Sequence, residues 1–100
     1  MARRALIFLF KNVHVPILLP IYEELKRRGG YEIAFCLFPH TPQIRAGFTP
    51  EEEEQIREMD VPFVKAPQDW RADVTFMADN VANLLRGCGK IVNVGHGLLS

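Results

Sequence analysis

An α/β fold built on a parallel sheet is the architecture this 100-residue sequence predicts. Three observations carry it. Short continuous apolar runs recur along the chain, as strands buried on both faces of a sheet require. Amphipathic or capped helical segments stand between several of them. The resulting order is strand, helix, strand, helix, strand, loop, strand, helix, strand, and such alternation argues parallel pairing with helices on both faces. Right-handed crossovers then restrict the topology to a doubly wound, Rossmann-like sheet of about five strands, in the order 3-2-1-4-5.

The first strand is Ala5–Phe10 (ALIFLF), stopped by Lys11-Asn12. A helix follows from Pro16 to Arg28. Ile17, Leu18, Ile21, Tyr22 and Leu25 make its apolar stripe, with Glu23, Glu24, Lys26, Arg27 and Arg28 off it. Its basic last turn complements the helix dipole, and Gly29-Gly30 ends it. Pro20 is expected either to begin the regular helix or to kink an earlier turn. Glu32–Phe38 (EIAFCLF) is the second strand, closed by Pro39.

Thr49-Pro50-Glu51-Glu52 has the chemistry of a helix start. Thr49 is the N-cap, Pro50 the first helical residue, and Glu52 completes a capping box. Glutamates 51–54 read as a solvated first turn favoured by the dipole. This helix is expected to end near Met59-Asp60. Pro62–Lys65 is the third strand and Val74–Ala78 the fourth. Asp79-Asn80 caps a short helix, Val81–Arg86, stopped by Gly87. Ile91–Val94 is the fifth strand. Ala66–Asp73 is too short to cross the sheet as a helix, but at ~3.3 Å per residue it reaches extended.

Composition narrows the function. The chain is 48% hydrophobic and 24% charged, which excludes disorder and suits one domain, residues 1–100. Twelve basic side chains balance twelve acidic ones, so the electrostatic case for nucleic acid fails. No apolar stretch approaches the ~20 residues of a membrane helix. Met1-Ala2-Arg3-Arg4 imitates a signal peptide, but Lys11 ends the apolar run too early. Cys36 and Cys88 read as reduced thiols of a cytoplasmic protein. The sequence contains no GxGxxG, GxxxxGK[ST], GxSxG, CxxC or HExxH motif, so no cofactor or metal is expected.

In an open α/β sheet, ligands bind beyond the carboxyl ends of the strands, where the strand order reverses. Three loops meet that description: Lys11–Val15, Ala78–Asn80 and Gly95–Ser100. They contribute His14, Asp79, Asn80, Gly95, His96 and Gly97. An imidazole placed there serves as general base or phosphate donor. His14, next to Val15-Pro16, reads equally as a helix cap with a half-buried ring. His96 stands between two glycines, an arrangement that packing explains poorly. Asp79 doubles as an N-cap and His40 reads as a solvated loop residue. Trp70 reads as packed under its loop rather than as an acceptor platform.

Two segments resemble known families. His14-Val15-Pro16, then Glu23-Glu24-Leu25-Lys26-Arg27-Arg28-Gly29 and Tyr31-Glu32-Ile33, resembles the amino-terminal signature of GT-B nucleotide-sugar transferases, although Val13 stands where those have glycine and Pro16 comes one residue early. Ile91-Val92-Asn93-Val94-Gly95-His96-Gly97-Leu98-Leu99-Ser100 resembles the strand and HG turn of CDP-glycerol glycerophosphotransferases, the teichoic-acid type, also of GT-B fold. The second resemblance implies that His96 is the catalytic base acting on an acceptor hydroxyl. Substrate binding would fall to His14, Asp79, Asn80, Gly95 and Gly97. It further implies that the chain is the amino-terminal, acceptor-side half of a two-domain enzyme. Its partners would be CDP-glycerol and a membrane-linked polyol or glycan acceptor, met at the inner membrane face, and a homo-oligomer is a further expectation.

Two other readings stand beside it. One is a GT-B glycosyltransferase or UDP-sugar 2-epimerase relative with His14 in the leading role. The other is a stand-alone flavodoxin-like or receiver-like binding module. Phe10-Lys11-Asn12 lacks the acidic cluster of a receiver and the phosphate loop of a flavodoxin.

Overall fold

The computed structural model describes residues 3–38, 48–78 and 85–94. Within them the chain forms β1 (Arg3–Leu9), α1 (Val15–Arg28), β2 (Tyr31–Leu37), α2 (Pro50–Ile56), β3 (Phe63–Val64), β4 (Val74–Met77) and β5 (Lys90–Asn93). The five strands make one sheet in the order β3-β2-β1-β4-β5, and every neighbouring pair is parallel. This is the α/β topology the alternation of elements predicts. β1 lies at the centre, its Ala5–Leu9 fully buried, because α1 covers one face and the crossover from β3 to β4 the other.

Side-chain alternation along the strands splits the core into two layers. Ile7 and Leu9 of β1 with Phe35 and Leu37 of β2 face the helices, where Leu18 and Tyr22 of α1 and Ile56 of α2 pack on them. Leu6, Phe8, Ala34 and Cys36 face the opposite way, joined by Ala72, Met77, Leu85 and Cys88. Both described helices therefore share one face; the helix expected on the other, Val81–Arg86, falls largely outside the described residues. Of its end, Leu85 is in 3-10 conformation and Arg86 in a turn. Among the described residues the other face is packed by the extended segment 65–73, with its 3-10 turn Pro67–Asp69, and by Leu85 and Cys88.

Strand boundaries differ from the apolar runs by one or two residues for a backbone reason. β1 starts at Arg3, whose N–H donates to the Gly30 carbonyl, and the ladder pairs Arg3 with Tyr31 and Arg4 with Glu32. The backbone pairs while the charged side chains stay at the amino edge, which apolar patterning cannot register. Helix α1 begins at Val15 and runs through Pro20, so that proline does not begin the regular helix. Pro20 has no N–H for the carbonyl four residues back, Pro16, a loss the packed face made by Leu18, Tyr22 and Leu25 offsets.

The capping box is present as read. The Glu52 N–H donates to Thr49 Oγ1 at 3.2 Å, and the Thr49 N–H donates to Glu52 Oε1 at 3.1 Å. Thr49→Ala is expected to cost about 1 kcal/mol, seen as a lower urea midpoint with an unchanged slope. Regular helix stops at Ile56, short of Met59, because Glu58 and Met59 bond three rather than four residues back and tighten the last turn.

Candidate functional site

The carboxyl edge of the sheet is assembled from β1 and its neighbours. Beyond Leu9 the chain passes Phe10 and Lys11, makes a 3-10 turn over Asn12–His14, and enters α1. The Phe38 N–H donates to the Leu9 carbonyl, and the Phe48 N–H to the Phe38 carbonyl, so the start of α2 is tied to the same edge. On the far side of β1, the Val94 N–H donates to the Met77 carbonyl and aligns the ends of β4 and β5. The strand order reverses between β1 and β4, where the sequence placed the switch point.

His14 lies at this edge but is fully buried. Its N–H donates to the Lys11 carbonyl at 3.0 Å, and its ring lies nearly parallel to Phe10, centroids 6.5 Å apart. Phe10 in turn packs on Phe38 at 4.8 Å, and Phe38 meets Phe8 edge-on. The expected half-buried ring is thus corrected: the imidazole is fully buried, with Phe10 stacked on it and Phe38 packed behind Phe10. His14 occupies the N-cap position of α1 without a side-chain capping bond.

Asp79, Asn80, Gly95, His96, Gly97 and His40 lie outside the described residues. The described chain reaches Ala78 and Val94, the residues that lead into two of the three expected loops. Trp70 packs against the layer of Leu6 and Phe8, and the Arg4 guanidinium sits over its ring at 5.1 Å. Arg4 also donates its N–H to Asp73 and lies 3.4 Å from Glu32. This cluster belongs to the amino edge, opposite the carboxyl edge, so Trp70 anchors the crossover rather than presenting an acceptor platform.

A feature that sequence reading missed lies at the carboxyl edge. Between the start of α1 and α2 is a cleft of about 210 Å³, lined by Asn12, Val15, Glu52, Gln55, Ile56 and Met59. The 3-residue spacing of Glu52 and Gln55 signals one helix face. Nothing in the sequence shows that Asn12 stands across from it.

The two cysteines share the layer opposite the helices. Cys36 Sγ donates to the Lys65 carbonyl and Cys88 Sγ to the Arg86 carbonyl. Burial pushes the Cys36 thiol from 9.0 up to about 12, with smaller contributions from Cys88 and Asp69, and burial raises Cys88 as well. Neither is a poised nucleophile, since the thiolate is the reactive form. Alkylation at pH 8 is expected to be slow in the folded chain and fast in denaturant, followed by mass. Because the folded pKa is the higher one, the Cys36 contribution to stability is whole below pH 9 and lost as pH climbs toward 12.

Among the described residues no three His, Cys, Asp or Glu side chains gather as a metal site, and no helix is long and apolar enough to cross a membrane. No protein-family model, curated protein or solved structure matches this chain.

Proposed function

We propose that this chain is the acceptor-side domain of a glycerophosphotransferase that uses CDP-glycerol. One observation carries the reading. β5 is paired beside β4 at the switch-point half of the sheet, and its last bond, Val94 N–H to Met77 O, ends at the carboxyl edge. The Gly95-His96-Gly97 sequence resembling the family's turn follows directly from that edge in the chain. A functional histidine belongs at this end of an α/β strand, not at the other.

The chemistry follows from the donor. His96 takes the proton of an acceptor hydroxyl. The oxygen attacks the phosphorus that carries glycerol, forming a new P–O bond. The bond from that phosphorus to the bridging oxygen breaks, and CMP leaves with the electron pair. Glycines 95 and 97, lacking side chains, let backbone N–H groups approach the phosphate closely. Asp79 or Asn80 orients the imidazole. The donor nucleotide is held by the enzyme's second domain, and the acceptor is a membrane-linked polyol or glycan reached from the cytoplasmic side. The burial of His14 speaks against the glycosyltransferase alternative in which that residue leads.

The test is CMP release from CDP-glycerol by the enzyme that joins this domain to its donor domain. Acceptor-dependent CMP release is expected, with none from UDP-sugars. Turnover of UDP-sugars instead would sink the assignment.

A further inference from the structure

We infer that the cleft between α1 and α2 is a subsite for one polyol unit of the acceptor, a deepening that rests on the transferase reading. Three features of the cleft carry it. Its place is the carboxyl edge, where α/β sheets bind ligands. Its size, about 210 Å³, is below the ~300–1,000 Å³ of drug-sized sites and fits a single small unit. Its lining is divided: Val15, Ile56 and Met59 supply an apolar wall, while Asn12, Glu52 and Gln55 supply the polar one.

That polar set matches hydroxyl groups. Two carboxamides donate and accept, and a carboxylate accepts, which is what neighbouring hydroxyls require, while C–H edges rest on the apolar wall. Glu52 is held before any ligand arrives, because one of its oxygens already accepts the Thr49 N–H. The same carboxylate disfavours a phosphate in the cleft by like charge. A metal cation is a poor fit too, since a single carboxylate, half engaged in the cap, faces two neutral amides. The occupant is a neutral polyol segment.

Position relates this subsite to the chemistry. The cleft lies on the α1–α2 side of β1, whereas β5 is two strands away on the other side, ~4.8 Å per strand. The polyol unit bound here is consequently not the one attacked. The acceptor is read several bonds away from its reacting hydroxyl, so a chain with more than one polyol unit is preferred to a single-unit acceptor.

NMR titration of the isotope-labelled chain with glycerol, and separately with glycerol 3-phosphate, tests this. Glycerol is expected to shift the side-chain amide signals of Asn12 and Gln55. The double variant Asn12→Ala/Gln55→Ala, at two exposed positions, is expected to weaken binding about tenfold through two lost hydrogen bonds, with backbone signals elsewhere unchanged. Absence of shifts in the unmodified chain overturns the inference. So do equal shifts in the double variant, or much tighter binding of glycerol 3-phosphate than of glycerol. CDP-glycerol turnover is read independently. A failed titration with turnover intact removes the subsite alone, whereas a successful titration without turnover keeps a polyol cleft and removes the transferase reading.

Discussion

His96→Ala is expected to lower kcat by ~10²–10⁴, the usual worth of a general base. The donor KM is expected to hold, because the proposed function assigns the nucleotide contacts to a second domain. A residue that removes a proton only as the acceptor attacks stabilises the transition state and not the bound donor, so the loss falls on kcat. His14→Ala provides the contrast. Its ring is enclosed by Phe10 at the head of α1, so truncation opens a cavity in a packed corner and lowers stability, with the smaller effect on turnover. Steady-state kinetics and thermal melts of both variants separate the two histidines. Near-normal turnover in His96→Ala with CDP-glycerol would refute the proposed chemistry, and a larger kcat loss in His14→Ala would favour the glycosyltransferase alternative.

Gly89→Ala is expected to be the most damaging small substitution in the described chain. Gly89 has φ +75°, and a Cβ there meets the Ala72 carbonyl oxygen at 2.5 Å and the Asp73 carbonyl oxygen at 2.6 Å. Both obstacles are backbone and cannot swing aside. Asp73 is also fixed on three sides: its N–H donates to the Arg4 carbonyl, its carboxylate accepts the Arg4 N–H, and its carbonyl accepts the Lys90 N–H. A methyl group at residue 89 thus pushes on the junction that holds β1, β4 and β5 together. Left-handed strain and overpacking together come to about 3 kcal/mol or more. For a domain of this size that lowers Tm by more than about 10 °C. Gly87→Ala is the control. Gly87 has nearly the same φ, +77°, but a Cβ there has nothing within 4 Å, so only the strain of about 1 kcal/mol is expected. Equal losses in the two variants would show that conformation, and not the close approach to β4, sets the cost.

Much of the scaffold is legible in local chemistry. The strand order 3-2-1-4-5 follows from alternation plus handedness, rules that depend on the kind and sequence of elements rather than on their details. The Thr49–Glu52 box is readable because its partners are three residues apart and interact through a backbone geometry that any helix start supplies. The basic last turn of α1, Lys26-Arg27-Arg28, is readable for the same reason. There Arg27 and Arg28 both reach Glu24, the Arg27 contact first among the causes that hold its carboxyl below the usual range.

The sequence by itself determined what rests on neighbours a few residues apart: which segments are buried strands, and where α2 is capped. The tertiary structure alone decided what rests on distant segments meeting. Phe10, just past β1, stacks on the buried His14, and Phe38, just past β2, packs against Phe10. Arg4 and Trp70, 66 positions apart, pin the extended crossover to the sheet. Pro20 is carried inside α1 because packing outweighs one lost bond. Asn12 comes to face Glu52 and Gln55 only when α1 and α2 dock on the same side of the sheet. Periodicity records which face of an element is apolar, and not what another element sets against it; that pairing is fixed by the shape of the assembled layers.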